Sequence, residues 1–85
     1  MAMVGRSRNA VDTTSFAGLV GHNIRRVREK RRISVDDAAV LAGIDRSTWY
    51  RLEQGQRPST TGKSIEVVAS TLRVPITELL RKPRA

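Results

Sequence analysis

Residues 34–55 read SVDDAAVLAGIDRSTWYRLEQG, and this stretch constrains the fold more than any other. Ser34 is a good helix N-cap, because its hydroxyl can accept from a backbone N–H that the first turn leaves unpaired. Asp37 stands three residues on, where a carboxylate can answer a second free N–H. Ala38, Ala39, Leu41 and Ala42 then supply a short apolar surface made largely of small residues. Gly43 punctuates it, and a residue without a Cβ takes positive φ at a tight bend without steric cost. Ile44 is apolar and Asp45 is a second N-cap candidate. Arg46 to Gln54 reads as a second helix, with Trp49 and Leu52 three residues apart on one side. Two short helices with a Gly in the joint are the sequence form of a helix-turn-helix unit.

A plain helical hairpin in a small bundle has the same spacing, so the outward side chains carry the functional reading. With Trp49 and Leu52 turned to the core, Trp49 is expected between the first three helices. Arg46, Ser47, Tyr50 and Arg51 are then left to face solvent or a partner. Two guanidiniums, a hydroxyl and a phenol on one short helix suit base edges and phosphates. An ordinary solvated face more often mixes Glu and Lys.

Charge points the same way. Sixteen Lys and Arg oppose eight Asp and Glu, a formal net charge of +8. Arg greatly outnumbers Lys, and Arg is the better bidentate donor to phosphate or guanine. Nucleic acid or another anionic surface is the implied partner; charge kept for solubility alone is the plainer alternative. Eighty-five residues make one small domain with a modest core. The lack of Cys removes disulfides and thiolate sites and fits a cytoplasmic setting. No apolar run approaches the ~20 residues that span a bilayer, and MAMVGRSRNAV has no apolar signal-peptide core.

Enzyme chemistry finds little support. Asp36 and Asp37 are adjacent, point apart on a helix, and are better explained as first-turn and cap residues. His22 is the sole His and has no Cys beside it, so neither a metal site nor any cofactor is expected. No Gly-rich loop follows a strand, and short helices leave little room for a deep pocket.

Along the chain, residues 1–14 read as a flexible basic arm in which Arg6 and Arg8 are placed for phosphate or minor-groove contact. A first helix is expected from Phe16 to Arg32, with Phe16, Leu19, Val20, Ile24 and Val27 as its apolar stripe. Gly18 and Gly21 weaken its start, so packing must hold it. Six of the eight residues from Arg25 to Arg32 are basic, more than a helix C-terminus asks for, and this edge is read as phosphate-facing. Residues 55–62 form a loop carrying Arg57. Thr60 or Thr61 starts a fourth helix with Ile65, Val68, Ala69 and Leu72 inward. Arg73 follows at a spot where a helix usually wants Gly, which would cost about 1 kcal/mol in a left-handed conformation. Pro75 opens a last helix, 76–82, with Ile76, Leu79 and Leu80 as its apolar face; residues 83–85 are a short basic tail. The fold class is all-α with five helices, and residues 15–82 form the domain.

Residues 24–80 resemble the DNA-binding domain of the lambda-repressor/Cro-like family of helix-turn-helix proteins, the broad group that includes bacterial xenobiotic-response-type regulators. The likeness rests on Ala39, Gly43, Ile44, Asp45, Arg46, Ser47, Thr48, Trp49, Arg51, Leu52, Glu53, Gly55 and Pro58. That family has a small Ala in the second helix, Gly in the turn, a polar run before an aliphatic core residue, then Leu-Glu-x-Gly and a Pro. The resemblance places Trp49 where Ile or Val is usual. It pairs Arg28 with Glu53, tying the first helix to the end of the third. It puts the base-reading positions on Arg46, Ser47 and Arg51, with Tyr50 nearby and the third helix in the major groove. Arg46 or Arg51 would read guanine, Ser47 and Thr48 would make backbone or cap contacts, and Arg25, Arg26 and Arg57 would touch phosphate.

Four positions depart from the family pattern. Val35 stands where Gln commonly grips a phosphate, and Ala38 where Leu is usual, leaving space for Trp49. The loop before Ile65 is longer than the common form, and Arg73 replaces the usual Gly. The implied function is sequence-specific binding of double-stranded DNA by a repressor-like transcriptional regulator. A two-fold homodimer through helix 76–82 is the implied assembly. An antitoxin with its toxin, or a helical adaptor with another protein partner, fits the same residues.

Overall fold

The computed structural model describes residues 13–56 and 61–83, and within them five α-helices: α1 Phe16–Lys30, α2 Val35–Ala42, α3 Arg46–Glu53, α4 Gly62–Leu72 and α5 Ile76–Leu79. Side-chain hydroxyls open three of these helices. Ser15 Oγ accepts from Gly18 N at 3.0 Å and Ser34 Oγ from Asp37 N at 3.0 Å. Thr61 and Ser64 exchange such bonds in a full capping box, which fixes the start of α4.

Four helices close in the same way. At each end one N–H reaches back three residues and the next reaches back five: Arg32 to Glu29 and Ile33 to Arg28, Gly43 to Val40 and Ile44 to Ala39, Gly55 to Leu52 and Gln56 to Arg51, Arg73 to Ser70 and Val74 to Ala69. This closure requires a left-handed residue. Gly43 (φ 72°) and Gly55 (φ 71°) supply it at two ends, and Arg32 (φ 58°) and Arg73 (φ 60°) at the other two. The left-handed turn at Arg32 also ends α1 at Lys30, two residues before the end expected from the sequence.

The core is built from Val20, Ile24 and Val27 of α1, Ala38 and Ala39 of α2, Trp49 and Leu52 of α3, Ile65, Val68, Ala69 and Leu72 of α4, and Leu79 of α5. Trp49 and Ala38 are both fully buried in this cluster, so a large residue on α3 accompanies a small one on α2.

Several apolar assignments are corrected. Phe16, expected in the α1 stripe, is 58 % exposed, and Leu19 is only partly buried and lies outside the core; Ala17 and Val20 are the buried apolar residues at that end of the helix. Leu41 is 66 % exposed beside the exposed Val40; α2 turns its alanines inward, where small side chains let it lie close to its neighbours. The last helix is one turn, Ile76–Leu79, and not 76–82. Leu79 alone of its apolar face is buried, while Ile76 and Leu80 keep 39 % and 38 % of their surface exposed.

Glycine lets α1 meet the end of α3. A Cβ on Gly21 would lie 2.7 Å from Glu53 O and 3.0 Å from Glu53 C, and one on Gly55 would lie 2.7 Å from Gly18 Cα. Gly21, which weakens α1 as an isolated helix, is therefore one of the residues that allow the two backbones to touch.

Candidate nucleic-acid interface

The orientation of α3 is set by three residues that point inward: Trp49, Leu52 and Glu53. Glu53 is charged and 3 % exposed, so its position depends on its partners. Arg28 Nε lies 2.5 Å from Glu53 Oε2, and Arg28 Nη2 donates to Oε1 at 3.2 Å. Trp49 Nε1 donates to Oε2 at 2.6 Å. The remaining edge of the same guanidinium donates through Nη1 to Ile33 O at 2.9 Å. One arginine thus joins α1, the segment entering α2, and the end of α3. The hydrogen bond to Glu53 raises the Arg28 pKa above its ordinary value against the opposing pull of burial.

The opposite side of α3 carries the candidate readers. Arg46, Ser47, Tyr50 and Arg51 are all exposed. Arg46, the first residue of α3, forms an ion pair with Asp36 of α2, Nε to Oδ1 at 3.1 Å. Asp45 occupies the N-cap position but makes no side-chain bond to a cap N–H. Its carboxylate instead accepts from the Ser47 hydroxyl at 2.5 Å and from the Thr48 hydroxyl. These bonds, Ser47 first, hold the Asp45 carboxyl down at about 2. Among the described residues Arg51 has no ion-pair partner.

Of the expected phosphate-contacting arginines, the two described, Arg25 and Arg26, turn to different neighbours. Arg25 lies one turn from Gly21 and Arg28, the α1 residues that meet α3, and pairs with Glu29 at 3.1 Å. Arg26 turns to the other flank, where its Nη2 lies 3.4 Å from Glu78 Oε1 on α5. Arg6, Arg8 and Arg57 lie outside the described residues. Val35, in place of the phosphate-gripping Gln, is partly buried against the core.

Some structural partners were not anticipated from the sequence. Asn23 is 1 % exposed and donates through Nδ2 to Leu79 O at 2.9 Å and Arg81 O at 2.7 Å, which secures the end of α5 to α1. Its signal was a polar residue within the 20, 23, 24, 27 spacing of a buried stripe. The Trp49 to Glu53 bond had a signal too, an i, i+4 pair on one helix.

Among the described residues no group of three or more His, Cys, Asp or Glu side chains is placed to hold a metal ion. No helix among them is long and apolar enough to cross a membrane.

Five short helices, with α2 and α3 joined by a glycine turn and α3 presenting arginines outward, define a helix-turn-helix domain. The chain belongs to the helix-turn-helix domain family, whose model matches residues 19–81. It is 32 % identical over 60 residues to the uncharacterized HTH-type transcriptional regulator RghRB of Bacillus subtilis strain 168. It is 29 % identical over 62 residues to the HTH-type transcriptional repressor RghR of the same organism. These matches take in 71 % and 73 % of this chain but 43 % and 46 % of those proteins, so the chain spans less than half their length.

Among solved structures, the restriction-modification controller protein C.AhdI from Aeromonas hydrophila superposes with a TM-score of 0.67 at 31 % identity, over 72 % of this chain and 91 % of that one. A hypothetical transcription factor, NHTF from Neisseria, shares the fold with a TM-score of 0.76 at 22 % identity, over 89 % of this chain and 92 % of that one.

Proposed function

We propose that this domain binds double-stranded DNA sequence-specifically, as a repressor-like transcriptional regulator of the lambda-repressor/Cro-like type, with α3 in the major groove. The observation that carries this reading is the facing of α3. Trp49, Leu52 and Glu53 are buried, while Arg46, Ser47, Tyr50 and Arg51 are exposed on the other side. A short helix held rigidly from behind and lined outward by guanidiniums suits bidentate reading of guanine O6 and N7.

Arg46 and Arg51 are the direct readers in this proposal, and Tyr50 contacts a base edge or sugar beside them. Ser47, whose hydroxyl donates to Asp45, sets the start of the helix and keeps lone pairs that suit an amino group on a base edge. Arg25, one turn along α1 from the residues that meet α3, and Arg57, which follows α3 in the sequence, supply sequence-independent affinity through phosphate. Regulation is by occupancy of the site, in the cytoplasm. Two copies pair through the C-terminal segment, where Ile76 and Leu80 are exposed around the buried Leu79.

Selection of bound sequences from a random duplex pool tests the reading. Enrichment of a motif with two related half-sites is the expected result. Recovery of unbiased sequences at every salt concentration would sink it and favour a protein-binding adaptor.

A further inference from the structure

Asp36 has no place in the readout described above, yet its carboxylate is the one that meets Arg46. The two side chains are about two-thirds exposed, so their ion pair adds little to stability. Its geometry is more informative than its energy. The nitrogen facing Asp36 is Nε, the inner edge of the guanidinium. Bidentate contact with guanine from the end of the side chain uses the two terminal nitrogens. A carboxylate on the Nε edge therefore restrains the long Arg46 side chain without consuming the fork that reads.

The electrostatics agree. Arg46 is the first residue of α3, at the positive end of the helix dipole, where a cation is disfavoured. Asp36 offsets that repulsion from a neighbouring helix whose own first turn carries Asp36 and Asp37. A carboxylate beside a DNA-facing arginine also repels phosphate, so its presence lowers affinity for every duplex alike.

We propose that Asp36 is a positioning residue for base recognition: it orients the Arg46 guanidinium toward one guanine, and trades overall DNA affinity for discrimination at that base pair. This rests on the reading of α3 as the groove-bound element. A neutral acceptor at the same position keeps part of the restraint, whereas a methyl group keeps none.

The test uses the full chain and a duplex from the selected pool. It is compared with a scrambled duplex and with versions substituted at each base pair. The proteins are wild type, Asp36→Ala, Asp36→Asn, Arg46→Ala and the Asp36→Ala/Arg46→Ala double variant. Asp36→Ala is expected to tighten binding to scrambled DNA while reducing preference at a single base pair about three- to tenfold. That pair is the same one that Arg46→Ala relaxes. Asp36→Asn should retain part of the preference. In the Arg46→Ala background the Asp36 substitution should change preference no further, and thermal midpoints should move only by the few degrees that loss of a first-turn carboxylate causes.

A preference ratio that Asp36→Ala leaves unchanged while all affinities rise makes Asp36 a bystander charge and overturns the proposal. So does an Arg46→Ala variant that relaxes no base pair while the wild type still discriminates. A wild type that never distinguishes selected from scrambled DNA overturns the groove reading itself, and this inference with it.

Discussion

Trp49 Nε1 donates to Glu53 Oε2 at 2.6 Å, one turn further along α3, inside the core. The indole is therefore more than a large apolar filler. Its N–H shares with Arg28 the task of satisfying a carboxylate that has almost no access to water. Removing the side chain both empties volume and strips a donor from a buried anion.

From this follows a graded pair of substitutions. Trp49→Ala is expected to cost about 3–5 kcal/mol, the range for large aromatic truncations in cores. That would leave little folded protein in so small a domain. Trp49→Phe keeps most of the apolar volume and loses the donor, at a cost of about 1–3 kcal/mol. Denaturant unfolding measures both. Two values within ~0.5 kcal/mol of zero would contradict the buried placement of the indole.

Gly21→Ala opposes helix propensity to packing. In an isolated helix the change favours folding by about 1 kcal/mol. Here the added methyl would sit 2.7 Å from the Glu53 carbonyl oxygen, and backbone on both sides must move. The expected net effect is a loss of about 1–3 kcal/mol, as for other overpacked sites. A thermal midpoint higher than that of the wild type would show that α1 and α3 do not meet at this point.

Arg73→Gly should go the other way. Arg73 sits at φ 60°, ψ 46°, a conformation that strains a residue with a Cβ. Relief of that strain, less the greater freedom of Gly in the unfolded chain, gives a gain of about 0.5–1 kcal/mol. Arg31 Nη2 reaches the Arg73 carbonyl at 3.5 Å, a contact that does not involve the replaced side chain. Equilibrium unfolding that shows a loss would mean the Arg73 side chain contributes more than its backbone costs.

How far these features were legible depends on whether one helix carries the whole signal. The α2–turn–α3 unit was readable because its caps, its Gly and its inward Trp49 and Leu52 all lie within one continuous stretch. Arg73 was readable because a helix end calls for a left-handed residue and no Gly stood there. Arg32 escaped notice because a run of good helix formers continues through it, and only the chain's turn into Ile33 requires the closure. Leu41 was misjudged because hydrophobicity ranks it above Ala, whereas a tightly packed helix selects its smallest residues for the inner face. The Arg46 to Asp36 pair joins two helices, so no periodicity within either one announces it.

A pH effect is expected at the start of α3. Asp45 titrates at about 2 in the folded domain against an ordinary 3.8, because Ser47 and Thr48 donate to its charged form. A depressed folded value means the stabilisation is fully present above the ordinary value and is lost as pH falls toward the folded one. Asp45→Asn lacks this stabilisation. The midpoint difference between wild type and Asp45→Asn should be constant above about pH 5 and should shrink between about pH 4 and pH 2. A difference that stays flat through that range would mean the hydroxyl bonds do not favour the carboxylate.

The last expectation concerns how the arginines divide the work on DNA. Arg51 is exposed on the outer side of α3 and, among the described residues, has no ion-pair partner. Arg25 lies on α1, one turn from Gly21 and Arg28 that meet α3, and pairs with Glu29, an exposed contact easily exchanged for phosphate. Arg51→Ala should therefore cost about 1–3 kcal/mol on a selected duplex, relax preference at one base pair, and change binding to scrambled DNA much less. Arg25→Ala should weaken all duplexes about equally and lower the salt slope by about one unit. Arg26→Ala, with its side chain turned to Glu78 on the far flank, should do neither. Affinities for both duplexes across a salt series, measured for each variant, decide the matter. Equal losses on both duplexes for Arg51→Ala would make that residue a phosphate clamp and leave specificity to Arg46, Ser47 or Tyr50. A full unit of salt slope lost in Arg26→Ala would place the α1–α5 flank against the backbone and turn the domain on its DNA.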